Sequence, residues 1–255
     1  MSEKTLFSRA EFERLRMDSA LSMSQDGKLL EQARNVLIEA DHYYWIHQAN
    51  WFGQPILNLP QDMFALQEII FRTRPKFIIE LGVAWGGSLL FYATLMKVLG
   101  GKRVIGIDIY MPDDLRQRLS DVTEVSDKIL LIEGSSVEPD IVDRIRKEVN
   151  HCRETMVILD SNHTHDHVIS ELRLYNPLVG KGFYVICGDT IIEDMPVQKD
   201  RPRPWGPGNN PRTAVLEFLG ENDRFVLDES IDRKLLLTCM PGGFLKCIKD
   251  LCVTP

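Results

Sequence analysis

The stretch KFIIELGVAWGGS, Lys76 to Ser88, decides the fold. Its first half, KFIIELG, is a short apolar run rich in β-branched residues that stops at Gly82, the pattern of a strand buried on both faces. Arg74-Pro75 punctuates it on the amino side. On the carboxyl side Gly82 allows a tight turn, and Gly86 and Gly87 let the backbone approach a ligand. Ser88 stands where the next helix begins, within hydrogen-bonding reach of that ligand. Ser88 to Leu99 is apolar nearly all round, so this helix is covered on several sides.

The same alternation continues outward. RVIGIDI (103–109), KILLIEG (128–134), TMVILD (155–160) and FYVICGD (183–189) read as four more buried strands. Between them, Ile141, Ile145 and Val149 recur at i, i+4 and i+8, and Val168, Leu172 and Tyr175 mark a second helix face stopped by Pro177. Upstream, Met63, Leu66 and Ile70 make Gln61–Thr73 a helix. Strands alternating with helices at this pitch predict an α/β fold with a doubly wound, mostly parallel sheet. RFVLD (224–228) and KLLLTC (234–239), joined by a charged turn, are expected to add a terminal antiparallel pair, for seven strands in all.

Residues 1–60 read as an N-terminal helical extension, and residues 61–255 as the α/β domain. The aromatic cluster Tyr43, Tyr44, Trp45 and Trp51 suits packing or a subunit contact. Pro196 to Pro211 holds five of the 13 prolines plus Gly206 and Gly208, and reads as an ordered, lid-like loop.

Composition narrows the function. The 255 residues are 44% apolar and 26% charged, values of a globular chain with a sizeable core. Thirty basic against 37 acidic residues leave a net charge of −7, which argues against a nucleic-acid partner. Nothing approaches the roughly 18 uninterrupted apolar residues of a membrane span. The charged start MSEKTLFSRAEFERLRMDS has no apolar signal core. Five cysteines (Cys152, Cys187, Cys239, Cys247, Cys252) without a CxxC pair read as free thiols of a reducing compartment, the cytoplasm.

In a doubly wound sheet, ligands sit beyond the carboxyl ends of the strands at the switch point. Glu80, on the strand just before its turn, suits a ligand bearing an ammonium group. Asp108 ends the second strand and suits a ribose diol, a feature shared by nicotinamide and S-adenosylmethionine sites. The turn spacing is not GxGxxG, which disfavours a pyrophosphate cradle. Gly134-Ser135-Ser136 fits an adenine edge and equally a simple turn. DSNHTHDH, Asp160 to His167, gathers three of the six histidines, with Thr164 and Asp166 as cap candidates. Asp160 and Asp189, on adjacent strand ends, can share an oxygen-liking cation such as Mg²⁺.

Taken together, ELGVAWGGS, IGIDIY, IEGSS, ILDSNHTHDHV, GDTIIEDMP and RPWGPGNNPRTAV resemble the cephalosporin hydroxylase and rhamnosyl O-methyltransferase family, from about Trp51 to Ile248. The resemblance implies a Rossmann-like class I methyltransferase that uses S-adenosylmethionine and Mg²⁺. It implies that Glu80, Gly82 and Ser88 hold the methionine part of the cofactor, Asp108 the ribose hydroxyls, and Ser135 or Ser136 the adenine. Asp160 and Asp189 would hold the metal. His163, three residues after Asp160, would be the base, where catechol-type methyltransferases place a lysine. In one departure, relatives carry an acid immediately before the second metal aspartate, and this chain has Gly188. A weak metal site is therefore predicted, one that Gly188→Glu would tighten. Trp205 and Asn209 belong to a loop predicted to close over the acceptor.

The implied activity is O-methylation of a sugar hydroxyl, on a nucleotide sugar or a glycosylated natural product, by a homo-oligomer without nucleic-acid or membrane partners. Methoxylation of a cephalosporin-type β-lactam and a non-catalytic cofactor-binding scaffold are the alternatives. A nicotinamide dehydrogenase ranks behind them for want of the phosphate-cradle spacing.

Overall fold

The computed structural model describes residues 8–197 and 201–251. Residues 1–7 of the extension, 198–200 of the proline-rich loop, and 252–255 with Cys252 lie outside the described residues. The chain opens with helices α1 (Arg9–Ser24) and α2 (Gly27–Asp41), then a small hairpin of β1 (Ala49–Trp51) and β2 (Gln54–Ile56). Helix α3 (Pro60–Thr73) leads into β3 (Phe77–Leu81), α4 (Gly87–Leu99), β4 (Arg103–Asp108), α5 (Asp113–Asp121) and β5 (Ile129–Glu133). There follow α6 (Pro139–Val149), β6 (Thr155–Leu159), α7 (His165–Tyr175), β7 (Tyr184–Cys187), α8 (Pro211–Glu221), β8 (Phe225–Leu227) and β9 (Phe244–Cys247).

Strands β3 to β9 form one seven-stranded sheet in the order β5-β4-β3-β6-β7-β9-β8. The first five are parallel, and β9 runs antiparallel to both β7 and β8. The two-residue period of β3 sends Phe77, Ile79 and Leu81 to one face and Ile78 and Glu80 to the other. The first set packs with Val142, Ile145, Leu172 and Phe218 of α6, α7 and α8. Ile78 packs with Leu66 and Ile69 of α3 and with Leu89 and Tyr92 of α4. Each fully buried Leu or Ile in these layers contributes about 1.5–3 kcal/mol. Glu80 is the carboxylate that this alternation places inside an apolar layer.

One expected strand is replaced. KLLLTC does not pair with RFVLD; β8 pairs instead with β9, in the register Phe225↔Cys247. Leu235 and Leu237 pack sideways onto the core, and Asp62, buried at the start of α3, accepts the Cys239 amide at 2.8 Å. These two ties hold the segment off the sheet edge. Gly243 then lets the chain enter β9, because a Cβ there would collide with the Cys187 carbonyl.

The order of strands reverses at β3: the chain adds β4 and β5 on one side, then returns to lay β6 and β7 on the other. A crevice therefore opens over the carboxyl ends of β3 and β6. Gly82 follows β3 with φ +97, and any Cβ there would collide with the Asp160 backbone. The glycine is required for close strand-end approach as well as for the turn. The β1–β2 hairpin lies on α4, where the Trp51 indole donates to Thr94 Oγ1 at 3.1 Å and meets Phe91 edge-on. Of the aromatic cluster, Trp51 is therefore packing, while Tyr43 and Tyr44 are exposed. Among the described residues no helix is long and apolar enough to cross a membrane.

Candidate active site

A cavity of about 740 Å³ opens over the carboxyl ends of the parallel strands. Glu80, Gly82 and Ser88 line it from the β3 end, Asp108 from β4, and Ser135 and Ser136 from the turn after β5. Asp160, His163 and Asp189 line it from beyond β6 and β7, and Trp205 from the loop before α8. The N-terminal segment adds Leu37, Trp45 and His47 to its wall.

In one half of the cavity the polar groups are carboxyls. Glu80 is 2% exposed, and among the described residues its buried Oε2 has no hydrogen-bond partner. Burial pushes this carboxyl well above the usual carboxylate range, and the charges of Asp160 and Asp108 add to the effect. Asp108 is engaged by backbone: Oδ2 accepts the amides of Val83 (2.8 Å) and Ala84 (3.2 Å), and Oδ1 accepts that of Tyr110 (3.2 Å). It thereby fixes the β3–α4 turn, in which Ala84 has φ 46, a conformation that L residues seldom adopt.

The Ser135–Ser136 pair divides. The Ser136 hydroxyl donates to Glu171 Oε1 at 2.5 Å, while among the described residues the Ser135 side chain makes no hydrogen bond. Glu171 belongs to a buried cluster that sequence reading missed. Its Oε1 also accepts the Ser161 hydroxyl at 2.6 Å and lies 3.1 Å from His167 Nε2, and among the described residues its Oε2 has no partner. The signal was available, since Glu171 lies on the same α7 stripe as Val168, Leu172 and Tyr175.

The three histidines of DSNHTHDH separate in space. His165 bridges α7 and α8, with Nδ1 2.8 Å from Thr213 Oγ1 and Nε2 3.0 Å from Glu217 Oε2. Thr164 occupies the cap position, where among the described residues its side chain makes no capping hydrogen bond, and its hydroxyl donates to Asn162 Oδ1. His163 lies beside the strand-end aspartates: its Nε2 is 3.3 Å from Asp189 Oδ2. One ligand atom each of Asp160, His163 and Asp189 lies within 4.8 Å of the others. Burial, Asp189 and Glu171 push the Asp160 carboxyl well above its ordinary value. Two carboxylates and an imidazole converging in this way fit a divalent cation.

Gly188 has a spatial reason. A Cβ at this position would stand 2.7 Å from Asp160 Oδ1 and 3.1 Å from the Leu159 carbonyl. The geometry thus opposes the expected gain from Gly188→Glu, because a side chain there must displace Asp160. Even Gly188→Ala is expected to weaken Mn²⁺ or Mg²⁺ binding, as titration calorimetry on the two proteins would measure.

From the described part of the proline-rich loop, Arg201, Arg203 and Trp205 line the cavity. Trp205 meets the His163 ring edge-on, with centroids 4.8 Å apart, and the Arg203 guanidinium lies over the Trp205 ring. Arg201 grips both oxygens of Asp41 at 2.9 and 3.0 Å, fastening the loop to α2. Asn209 has a different place from that expected. It does not line the cavity, and its amide accepts the His165 backbone N–H and donates to the Pro204 carbonyl, both at 2.9 Å. It ties the loop to α7. His47, which no sequence signal marked, lines the cavity; burial and then the Arg201 charge hold its imidazole below its ordinary value.

The rhamnosyl O-methyltransferase/CmcI family model matches residues 43–248. A rhamnosyl O-methyltransferase of Mycobacterium leprae (strain TN) is 32% identical over 211 residues, covering 80% of this chain and 85% of its own. One from Mycobacterium bovis (strain BCG / Pasteur 1173P2) is 30% identical over 185 residues, 72% of each chain. The solved structure "cmcI-D160 Mg-SAM" shares the fold at a TM-score of 0.52, with 22% identity over 79% of this chain and 77% of that one. The matched span runs from just before the hairpin to the end of the sheet and takes in the whole cavity floor, and on that ground the chain belongs to the rhamnosyl O-methyltransferase/CmcI family, a family of methyltransferase enzymes.

Proposed function

We propose that the protein transfers the methyl group of S-adenosylmethionine to a sugar hydroxyl, carried by a nucleotide sugar or a glycosylated small molecule, with a divalent cation at Asp160 and Asp189. One observation carries the reading: the orphaned Glu80 oxygen and the Asp160–His163–Asp189 cluster belong to walls of a single cavity. The first suits the ammonium of an amino-acid cofactor, and the second suits a hydroxyl about to lose its proton. The relatives named rhamnosyl O-methyltransferase support the sugar acceptor.

When bound, the cofactor supplies an electrophilic methyl on a sulfonium, and the cation lowers the pKa of the acceptor hydroxyl. The chain's residues do the rest. Glu80 and Asp108 would anchor the cofactor at its two polar ends, with the Gly82 turn close against it. Asp160 and Asp189 would hold the cation where the acceptor oxygen would approach. The His163 imidazole has two uses there, to take the hydroxyl proton or to hold the cation itself. Trp205, standing on His163, would cover the acceptor and exclude water.

The test is methyl transfer from labelled S-adenosylmethionine to rhamnose carried on a nucleotide or on a glycosylated small molecule, with and without a chelator. Labelled product that disappears on chelation is the expected result. Failure to bind S-adenosylmethionine, or full turnover after exhaustive chelation, would sink the corresponding half of the proposal. Trp205→Ala is expected to raise the acceptor KM while cofactor affinity and melting temperature stay near wild type. A raised KM accompanied by equal loss of cofactor affinity and a lowered melting temperature would make Trp205 a structural residue only.

A further inference from the structure

Among the described residues no third carboxylate joins Asp160 and Asp189 at the candidate cation site, and the geometry points to what replaces it. We propose that His163 is a protein ligand of the cation, through Nε2, and that the site consequently prefers Mn²⁺ or Co²⁺ to Mg²⁺. The inference rests on the proposal that this cavity holds a divalent cation. It reassigns the imidazole from proton acceptor to ligand.

Three observations carry it. First, position 188 offers no side-chain donor, being a glycine whose Cβ would stand 2.7 Å from Asp160 Oδ1. Second, among the described residues the group of possible ligands at this site is Asp160, His163 and Asp189, with His163 Nε2 3.3 Å from Asp189 Oδ2. A nitrogen at that separation from a carboxylate oxygen shares the same small volume. Third, the imidazole is held in place: its side chain is 15% exposed, and the Trp205 ring stands against it at an interplanar angle of 89°. A ring fixed against an indole gives up little further freedom on taking a ligand position.

The metal preference follows from the donor set. Mg²⁺ favours oxygen ligands and retains several waters, whereas imidazole suits first-row transition ions, whose affinities rise along the series from Mn²⁺ to Cu²⁺. Exchanging one carboxylate for an imidazole also removes one negative charge from the site, which weakens the hold on a hard cation more than on a softer one. Gly188 and His163 are thus two parts of one arrangement: the glycine leaves room for Asp160, and the histidine supplies the missing donor.

The experiment uses the full chain and Mn²⁺ alone, without cofactor or acceptor. Binding is followed by electron paramagnetic resonance with Mg²⁺ as competitor, and pulsed measurements look for nitrogen-14 coupling to the bound ion. Wild type is expected to bind Mn²⁺ more tightly than Mg²⁺ and to show coupling from one imidazole. In His163→Gln that coupling should vanish and Mn²⁺ affinity fall by on the order of tenfold or more, since even loss of an outer partner costs about 10–100-fold. His163→Asn is the second variant should glutamine unsettle the fold, with circular dichroism as the check. Bound Mn²⁺ without nitrogen coupling, or coupling that survives in both variants, overturns the ligand assignment and leaves the cation proposal standing. Wild type that binds no Mn²⁺ overturns both.

Discussion

Asp160→Ala is expected to lower kcat by about 10²–10³, the usual cost of removing one preorganised polar group from a reacting centre, while S-adenosylmethionine binds as tightly as before. Asp160 directly follows β6, and its amide donates to the Leu81 carbonyl at 2.8 Å, so the backbone that aims its carboxylate belongs to the sheet. The substitution leaves that backbone bond intact and removes only the carboxylate that faces Asp189. Its effect on the cofactor half has a sign. The Asp160 charge helps to raise the Glu80 pKa, so deleting it eases ionisation of Glu80 and, if anything, favours an ammonium ligand. Single-turnover rates together with calorimetry separate the two effects. Near-normal turnover, or a parallel collapse of cofactor affinity, would show that Asp160 does not act on the acceptor.

The sheet was legible because its strands are buried on both faces, which writes them as uninterrupted runs such as FIIEL and TMVIL. KLLLTC carries the same kind of run and is not a strand. Its fate depends on Asp62, 177 residues earlier in the chain than Cys239, and local pattern holds no trace of such a contact. The site divides along the same line. Glu80, Asp108, Asp160 and Asp189 could be named because topology alone carries strand ends to the crevice. His47 could not, since it reaches the cavity from the N-terminal segment by tertiary packing. Asn209 shows the converse: its loop is at the mouth, yet its side chain turns to the α7 N-terminus. Gly188 was visible as a departure, but its cause, the Asp160 carboxylate beside it, appears only in three dimensions.

Glu80→Gln is expected to weaken S-adenosylmethionine binding by about 10- to 100-fold, the equivalent of a charge-assisted hydrogen bond worth about 1.5–3 kcal/mol. The argument turns on protons. Burial, then the charges of Asp160 and Asp108, hold the free Glu80 carboxyl protonated to a pH well above the usual carboxylate range. An ammonium group placed against it favours the ionised form, so binding lowers its pKa and releases a proton. Affinity in the wild type should therefore climb as pH rises through the raised Glu80 pKa. It should fall again once the ligand's own α-amino group, with a reference pKa of about 7.7–8.0, loses its charge. Glutamine keeps the volume and the acceptor oxygen but cannot titrate, so the acid limb should disappear from the variant. Calorimetry in two buffers of different ionisation enthalpy would detect the released proton in the wild type and its absence in the variant. If Glu80→Gln binds with unchanged affinity and the same slope on the acid side, the ammonium is held elsewhere, and the orphaned oxygen of Glu80 is a structural cost without a ligand to relieve it.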